Sequence, residues 1–274
     1  MSTVGVPSAL PRLDYQGGFT QVRVFRSELT KLRSVRSTGW SLAAAVIFTV
    51  GIGAIACAVV VNHWPHMNPH DRADFHPLEV TLAGVQLAQL AIGVLGVLLI
   101  TAEYSTGMIR ASMTAVPTRL PVLWGKAVVY SVVTLALLAP AALIAFFVAQ
   151  AILSRRHVET TLTAPGVPRA VLGAALYLTV IGLFGLGLGA IVRNTAGGIA
   201  TFAGIMFVLP PLMNVLPQSW NSAASPYLPL QAGEQIMALH RGNQLAPWTG
   251  FGLLCAYAAA SLALAAVLLR RRDV

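Results

Sequence analysis

Apolar residues run along the chain in six long stretches, at residues 40–61, 78–101, 122–152, 170–192, 196–216 and 248–269, with short polar or proline-containing segments between them. A helix rises about 1.5 Å per residue and the hydrocarbon core of a bilayer is about 30 Å thick, so about 20 apolar residues suffice to cross it. Each of the six meets that length, which predicts an all-α polytopic membrane protein with six transmembrane helices. The third is longer than a crossing requires and predicts a tilted helix, or one kinked at Pro140. In the fourth, Gly182, Gly185, Gly187 and Gly189 predict a face that a neighbouring helix approaches closely.

A different period precedes the first stretch. Phe19, Val22, Phe25, Leu29 and Leu32 recur at steps of three and four, while Arg23, Arg26, Lys31, Arg33 and Arg36 lie mostly off that stripe. This predicts an interfacial amphipathic helix over 19–38, its basic residues turned to anionic lipid. Residues 1–18, with Pro7, Pro11, Gly17 and Gly18, read as a flexible tail, so the six-span domain occupies 39–274.

Composition agrees with this division. The chain is 56% hydrophobic and 10% charged over 274 residues, whereas an ordinary globular chain carries about a quarter charged residues. That excludes a soluble domain and a disordered one. The net charge of +9 does not point to nucleic acid, because the basic residues sit at the ends of apolar stretches. With the N-terminus inside, the inner segments hold Arg12, Arg23, Arg26, Lys31, Arg33, Arg36, Arg110, Arg119, Lys126, Arg193, Arg270, Arg271 and Arg272. The outer ones hold Arg72, Arg155, Arg156, Arg169 and Arg241. The imbalance predicts that both termini are cytoplasmic. Cys57 and Cys255 lie within apolar stretches and make no metal-binding or disulfide spacing.

Chemistry-bearing motifs are sparse. The one Gly-Lys pair, Gly125-Lys126, is followed by Ala127 and has Leu120 where a phosphate-binding loop needs glycine, so no ATP site and no enzymatic activity are expected of this chain. No acidic residue falls in the middle of a predicted span, which argues against a proton- or sodium-coupled carrier. The deepest polar groups are Gln86 and Gln89, three residues apart on one face of the second helix. They either line a substrate path or hydrogen-bond a neighbouring helix. His63, His66, His70 and His76 crowd the first outer loop with Asp71 and Asp74, but their spacing matches no recognised ligand set and no metal site is assigned. Between Pro217 and Pro247, the run 230–239 is apolar apart from Glu234, Gln235 and Gln231, and Glu234 would tolerate the membrane only facing protein or water.

The loop after the second stretch carries the most information. Glu103 and Tyr104 stand at the membrane edge, Gly107 follows, and Met108, Ile109, Met113 and Val116 give a short amphipathic helix that Pro117 ends. Such a helix either docks on a cytoplasmic partner or rests on the bilayer. The pattern Glu103-Tyr104, Gly107, Ile109-Arg110, Ser112-Met113, Pro117 and Arg119 resembles the loop after the second span of ABC-2 type permeases, the membrane subunits of ATP-binding-cassette exporters. A Leu is usual where Met113 stands. Similar short matches recur at 27–38, 187–197, Tyr227-Leu228-Pro229 with Ala232-Gly233, Pro247-Trp248 with Gly250-Phe251, and the final Arg271-Arg272-Asp273-Val274.

The resemblance implies that Glu103, Tyr104, Gly107, Met108, Ile109, Arg110, Met113, Pro117 and Arg119 form a coupling helix on a cytoplasmic ATPase subunit present in two copies. ATP and Mg would be bound by that partner and no cofactor by this chain. It further implies a second permease subunit, expected to be identical, with the first, second and fifth spans lining the interface and substrate path, and a hairpin dipping back into the membrane between the fifth and sixth spans. The expected function is export of an apolar or amphipathic substrate such as an antibiotic, peptide or lipid across a bacterial plasma membrane. The alternative is a non-transport immunity or sensor subunit that binds a toxin or lipid at its outer loops.

Overall fold

The computed structural model describes residues 29–30, 36–105, 120–215, 217–239 and 244–271. Every regular element among them is helical. Most of the predicted tail and interfacial helix, and the predicted coupling helix from Gly107 to Arg119, lie outside the described residues.

Six helices are long and apolar enough to cross a membrane: Arg36–His66, Pro77–Ser105, Leu123–Arg156, Val167–Val192, Thr195–Met213 and Pro247–Arg271. Together with the composition, they define a multi-pass helical membrane protein. Trp40 and Trp124 are exposed at the end of the bundle where the second span finishes, and Trp220, Tyr227 and Trp248 at the other. They form the two aromatic belts expected where a bundle meets two membrane surfaces. The first end also carries Arg193, Arg270 and Arg271 and is called the basic end below; the second carries His63, His66, His70, His76 and His157 and is called the histidine end.

One boundary differs from those the apolar pattern predicts, and one helix carries an unexpected charge. The second helix runs on to Ser105, which puts Glu103 and Tyr104 on the helix instead of in a loop. The third passes through Pro140 as one continuous helix, Leu120–Leu153, and takes Lys126 into its first turns. Lys126, which falls inside the predicted third stretch and is counted with the inner charges, is buried within the bundle.

The fourth span is the hub: 67% of its most apolar window is buried, against 28% for the first span and 22% for the fifth. Small residues make this possible. A Cβ on Gly96 would stand 2.0 Å from the Gly182 carbonyl oxygen, and one on Gly185 2.4 Å from that of Gly93. The second and fourth helices thus meet backbone to backbone, as the glycine run in the fourth predicts. Tyr130 of the third span locks onto the same crossing, donating its hydroxyl to Ile92 O at 2.9 Å. A main apolar cluster including Ile92, Tyr177, Ile181 and Phe202 fills the bundle, and a second, with Ile100, Leu123, Leu262 and Leu269, closes the basic end.

After the fifth span the chain turns back into the bundle. A helix at Gln218–Ala224 and a 3-10 turn at Ser225–Tyr227 lead into the helix Pro229–Glu234. Pro229, Ala232, Gly233, Gln235 and Ile236 are buried there. The approach is close, since a Cβ on Gly250 would stand 2.4 Å from Ala232 O. Arg169 Nη2 fastens the outgoing chain by donating to Ala238 O at 2.8 Å.

Candidate functional site

Two polar centres interrupt the apolar interior. The first lies at the basic end, at the foot of the loop that follows the second span. Glu103 projects inward from the last turn of that helix and accepts from Lys126 Nζ of the third span at 2.8 Å, with both side chains almost fully buried. Ile100, Leu123 and Ala127, near the pair along its two helices, belong to the second apolar cluster. In such a setting each charge depends on the other, because desolvating either alone is costly.

Beside it, Arg193 stands at the corner between the fourth and fifth spans. Its backbone is left-handed, φ 59°, and its N–H closes the fourth helix on Gly189 O at 2.9 Å. Asn194 then starts the fifth helix by accepting from Gly197 N at 2.9 Å, a side-chain N-cap that makes a two-residue corner possible. The corner aims the Arg193 guanidinium over the Tyr104 ring, 5.3 Å from its centroid, while Nη2 donates to Leu268 O of the sixth span at 3.3 Å. Glu103 and Tyr104, adjacent in sequence, are thus tied to the third, fourth and sixth helices. Of the predicted coupling residues these are the two described; Gly107, Met108, Ile109, Arg110, Met113, Pro117 and Arg119 lie outside the described residues. Lys126 and Arg193 carry no sequence motif that marks them as partners of this pair.

The second centre is a hydrogen-bonded chain in the half of the bundle nearer the histidine end. Tyr177 of the fourth span donates its hydroxyl to Gln89 Oε1. Gln89 Nε2 donates to Gln86 Oε1 at 2.9 Å, and Gln86 Nε2 donates to Glu234 Oε1 at 2.7 Å. Gln89 and Tyr177 are fully buried, Glu234 is half-buried and Gln86 is exposed. Both alternatives for the two glutamines therefore have a physical counterpart: Gln89 bonds a neighbouring helix, and Gln86 reaches an open surface.

Glu234 arrives there by the folding back of the chain. Gln86 lies nine residues into the second span from Pro77, or about 13 Å at about 1.5 Å per residue. Tyr177 is ten residues into the fourth, about 15 Å. The rule that no carboxylate occupies the middle of a span holds for the sequence, yet the structure brings one to that depth from a loop. Burial pushes the Glu234 carboxyl up from its ordinary range, and the Gln86 hydrogen bond partly opposes the shift.

The histidine-rich loop makes a different arrangement. Trp64 packs edge-on against Phe75 at 5.2 Å, with the Arg72 guanidinium over its ring at 5.8 Å. His70 faces Asp74 at 3.5 Å on an exposed turn. Among the described residues no three or more His, Cys, Asp or Glu side chains gather as a metal site would require.

No protein family matches the chain, and no curated protein does.

Proposed function

We propose that the chain is the membrane subunit of an ATP-driven exporter of the ABC-2 type, oriented with the basic end and both termini in the cytoplasm. The observation that carries this reading is the anchoring of Glu103 and Tyr104 directly before the loop 106–119, whose residues resemble that family's coupling helix. A loop that only connected two helices would need no such foot. Here a push on the loop reaches the second and third spans through Glu103 and Lys126, and the fourth and sixth through Tyr104, Arg193 and Leu268. The preponderance of Lys and Arg at that end supports the orientation.

In this mechanism a separate ATPase pair binds ATP and Mg, closes, and moves the loop; the anchored foot converts that movement into a tilt of four helices. A second copy of the permease completes the pathway. Its surface is sought on the first and fifth spans, the two least buried, where Ile47, Ile55, Val59, Val208 and Leu212 are exposed. The cargo is apolar or amphipathic. The test is purification of the chain with its co-expressed neighbours from its own host: a P-loop ATPase should accompany it, and purification of a functional chain with no ATPase would refute the assignment.

A further inference from the structure

The direction of the polar chain is dictated by chemistry. Gln86 turns its amide nitrogen to Glu234, its oxygen faces Gln89 Nε2, and the Gln89 oxygen takes the Tyr177 hydroxyl, the orientation that suits the ionised, acceptor-only form of Glu234. Every donor along the chain points toward Glu234, which stabilises negative charge on it. No Lys or Arg among the described residues pairs with it. Its Oε1 is taken by Gln86, while no described donor reaches Oε2. Burial at this depth favours the neutral acid, so the ionised form that these donors suit is held only when a positive charge arrives from outside the chain.

The surface beside it is apolar. Ala83, Gln86, Leu87, Leu90, Ala91 and Val94 share one face of the second helix at helical spacing. Leu87 and Leu90 are 46% and 41% exposed there. We propose that Glu234 and Gln86 form a receptor for an organic cation with an apolar body, its charged head on Glu234 Oε2 and its body along Leu87 and Leu90. This deepens the permease reading, on which it rests only for calling the cation a cargo. A neutral or anionic molecule of the same shape would leave the carboxylate unpaired and is disfavoured.

The probe is tetraphenylphosphonium, with its anionic isostere tetraphenylborate as control, in equilibrium dialysis against the purified full-length chain in the uncharged detergent dodecyl maltoside. The wild type should prefer the cation. Glu234→Gln keeps an oxygen for Gln86 but removes the charge, and should weaken cation binding about tenfold or more without weakening that of the anion. Should that variant misfold, Leu90→Arg retains Glu234 and places a guanidinium one turn from Gln86, which should displace the probe to a similar extent. Equal binding of the two ions by the wild type, or cation binding unchanged in a folded Glu234→Gln or Leu90→Arg protein, would overturn the proposal. Because the assay contains no ATPase, it is separate from the permease reading, which is judged by whether an ATPase co-purifies with the same variants.

Discussion

Lys126 Nζ sits 2.8 Å from Glu103 Oε1, and the two side chains are 2% and 5% exposed. A pair so placed contributes little net stability over an apolar substitute, but removing one member takes this ion pair from the other's charge in a desolvated site, at a cost of up to about 3 to 5 kcal/mol. Lys126→Met and Glu103→Gln should each lower the apparent unfolding temperature in detergent sharply, and the double variant should recover most of the loss. A double variant no better than the worse single one would mean that the pair is not the unit that matters.

The crossing of the second and fourth helices sets a second expectation. Gly96→Leu and Gly185→Leu put side chains where a Cβ would already lie 2.0 and 2.4 Å from a carbonyl oxygen of the facing helix. The backbones must separate, so both variants should fail to give a monodisperse protein in size-exclusion chromatography. Gly252 has open space around it, and Gly252→Ala should be neutral or mildly stabilising, by up to about 1 kcal/mol.

Tyr177→Phe removes the donor that satisfies Gln89 Oε1 in a fully buried setting. The unsatisfied oxygen should cost about 1 to 3 kcal/mol. Replacing Gln89 by Leu in the same protein removes that oxygen, and thermal unfolding of the double variant should fall closer to the wild type than that of Tyr177→Phe alone.

The six spans are legible in the sequence because each is a run of apolar residues that only a bilayer or a buried core can accommodate. Their polar ends are not. Glu103 and Tyr104 look like the beginning of a loop, and what keeps them on the helix is Lys126 and Arg193, one from the following span and one from a corner 89 residues on. No local pattern announces such partners. The glycines of the fourth span announce close contacts without naming the partners, which prove to be the second helix at Gly185 and Gly189, the third at Gly182 and the sixth at Gly187. Glu234 is the harder case: in sequence it belongs to a loop, and only the folding back of 217–239 sets it against Gln86, 148 positions away. The available signal is a run of small and apolar residues, Pro229, Ala232 and Gly233, too weak to fix depth.

Topology gives a direct check of orientation. In a protein lacking Cys57 and Cys255, a cysteine at Glu159, exposed at the histidine end, should react with a membrane-impermeant maleimide in intact cells. One at Thr106, just beyond the second span, should react only after permeabilisation. Labelling of both in intact cells would contradict a cytoplasmic basic end.

The central claim, that the loop after the second span couples this chain to an ATPase, is tested most directly by pulling that ATPase down with an Ile109→Asp, Met113→Asp double variant beside an Arg155→Ala, Arg156→Ala control. Each apolar side chain buried in a partner contributes about 1.5 to 3 kcal/mol, so losing both should weaken the complex by well over tenfold. The variant should still insert in the membrane yet lose the ATPase, while the control retains it. A double Asp variant that holds the ATPase and transports normally, with the control uncoupled instead, would contradict the account.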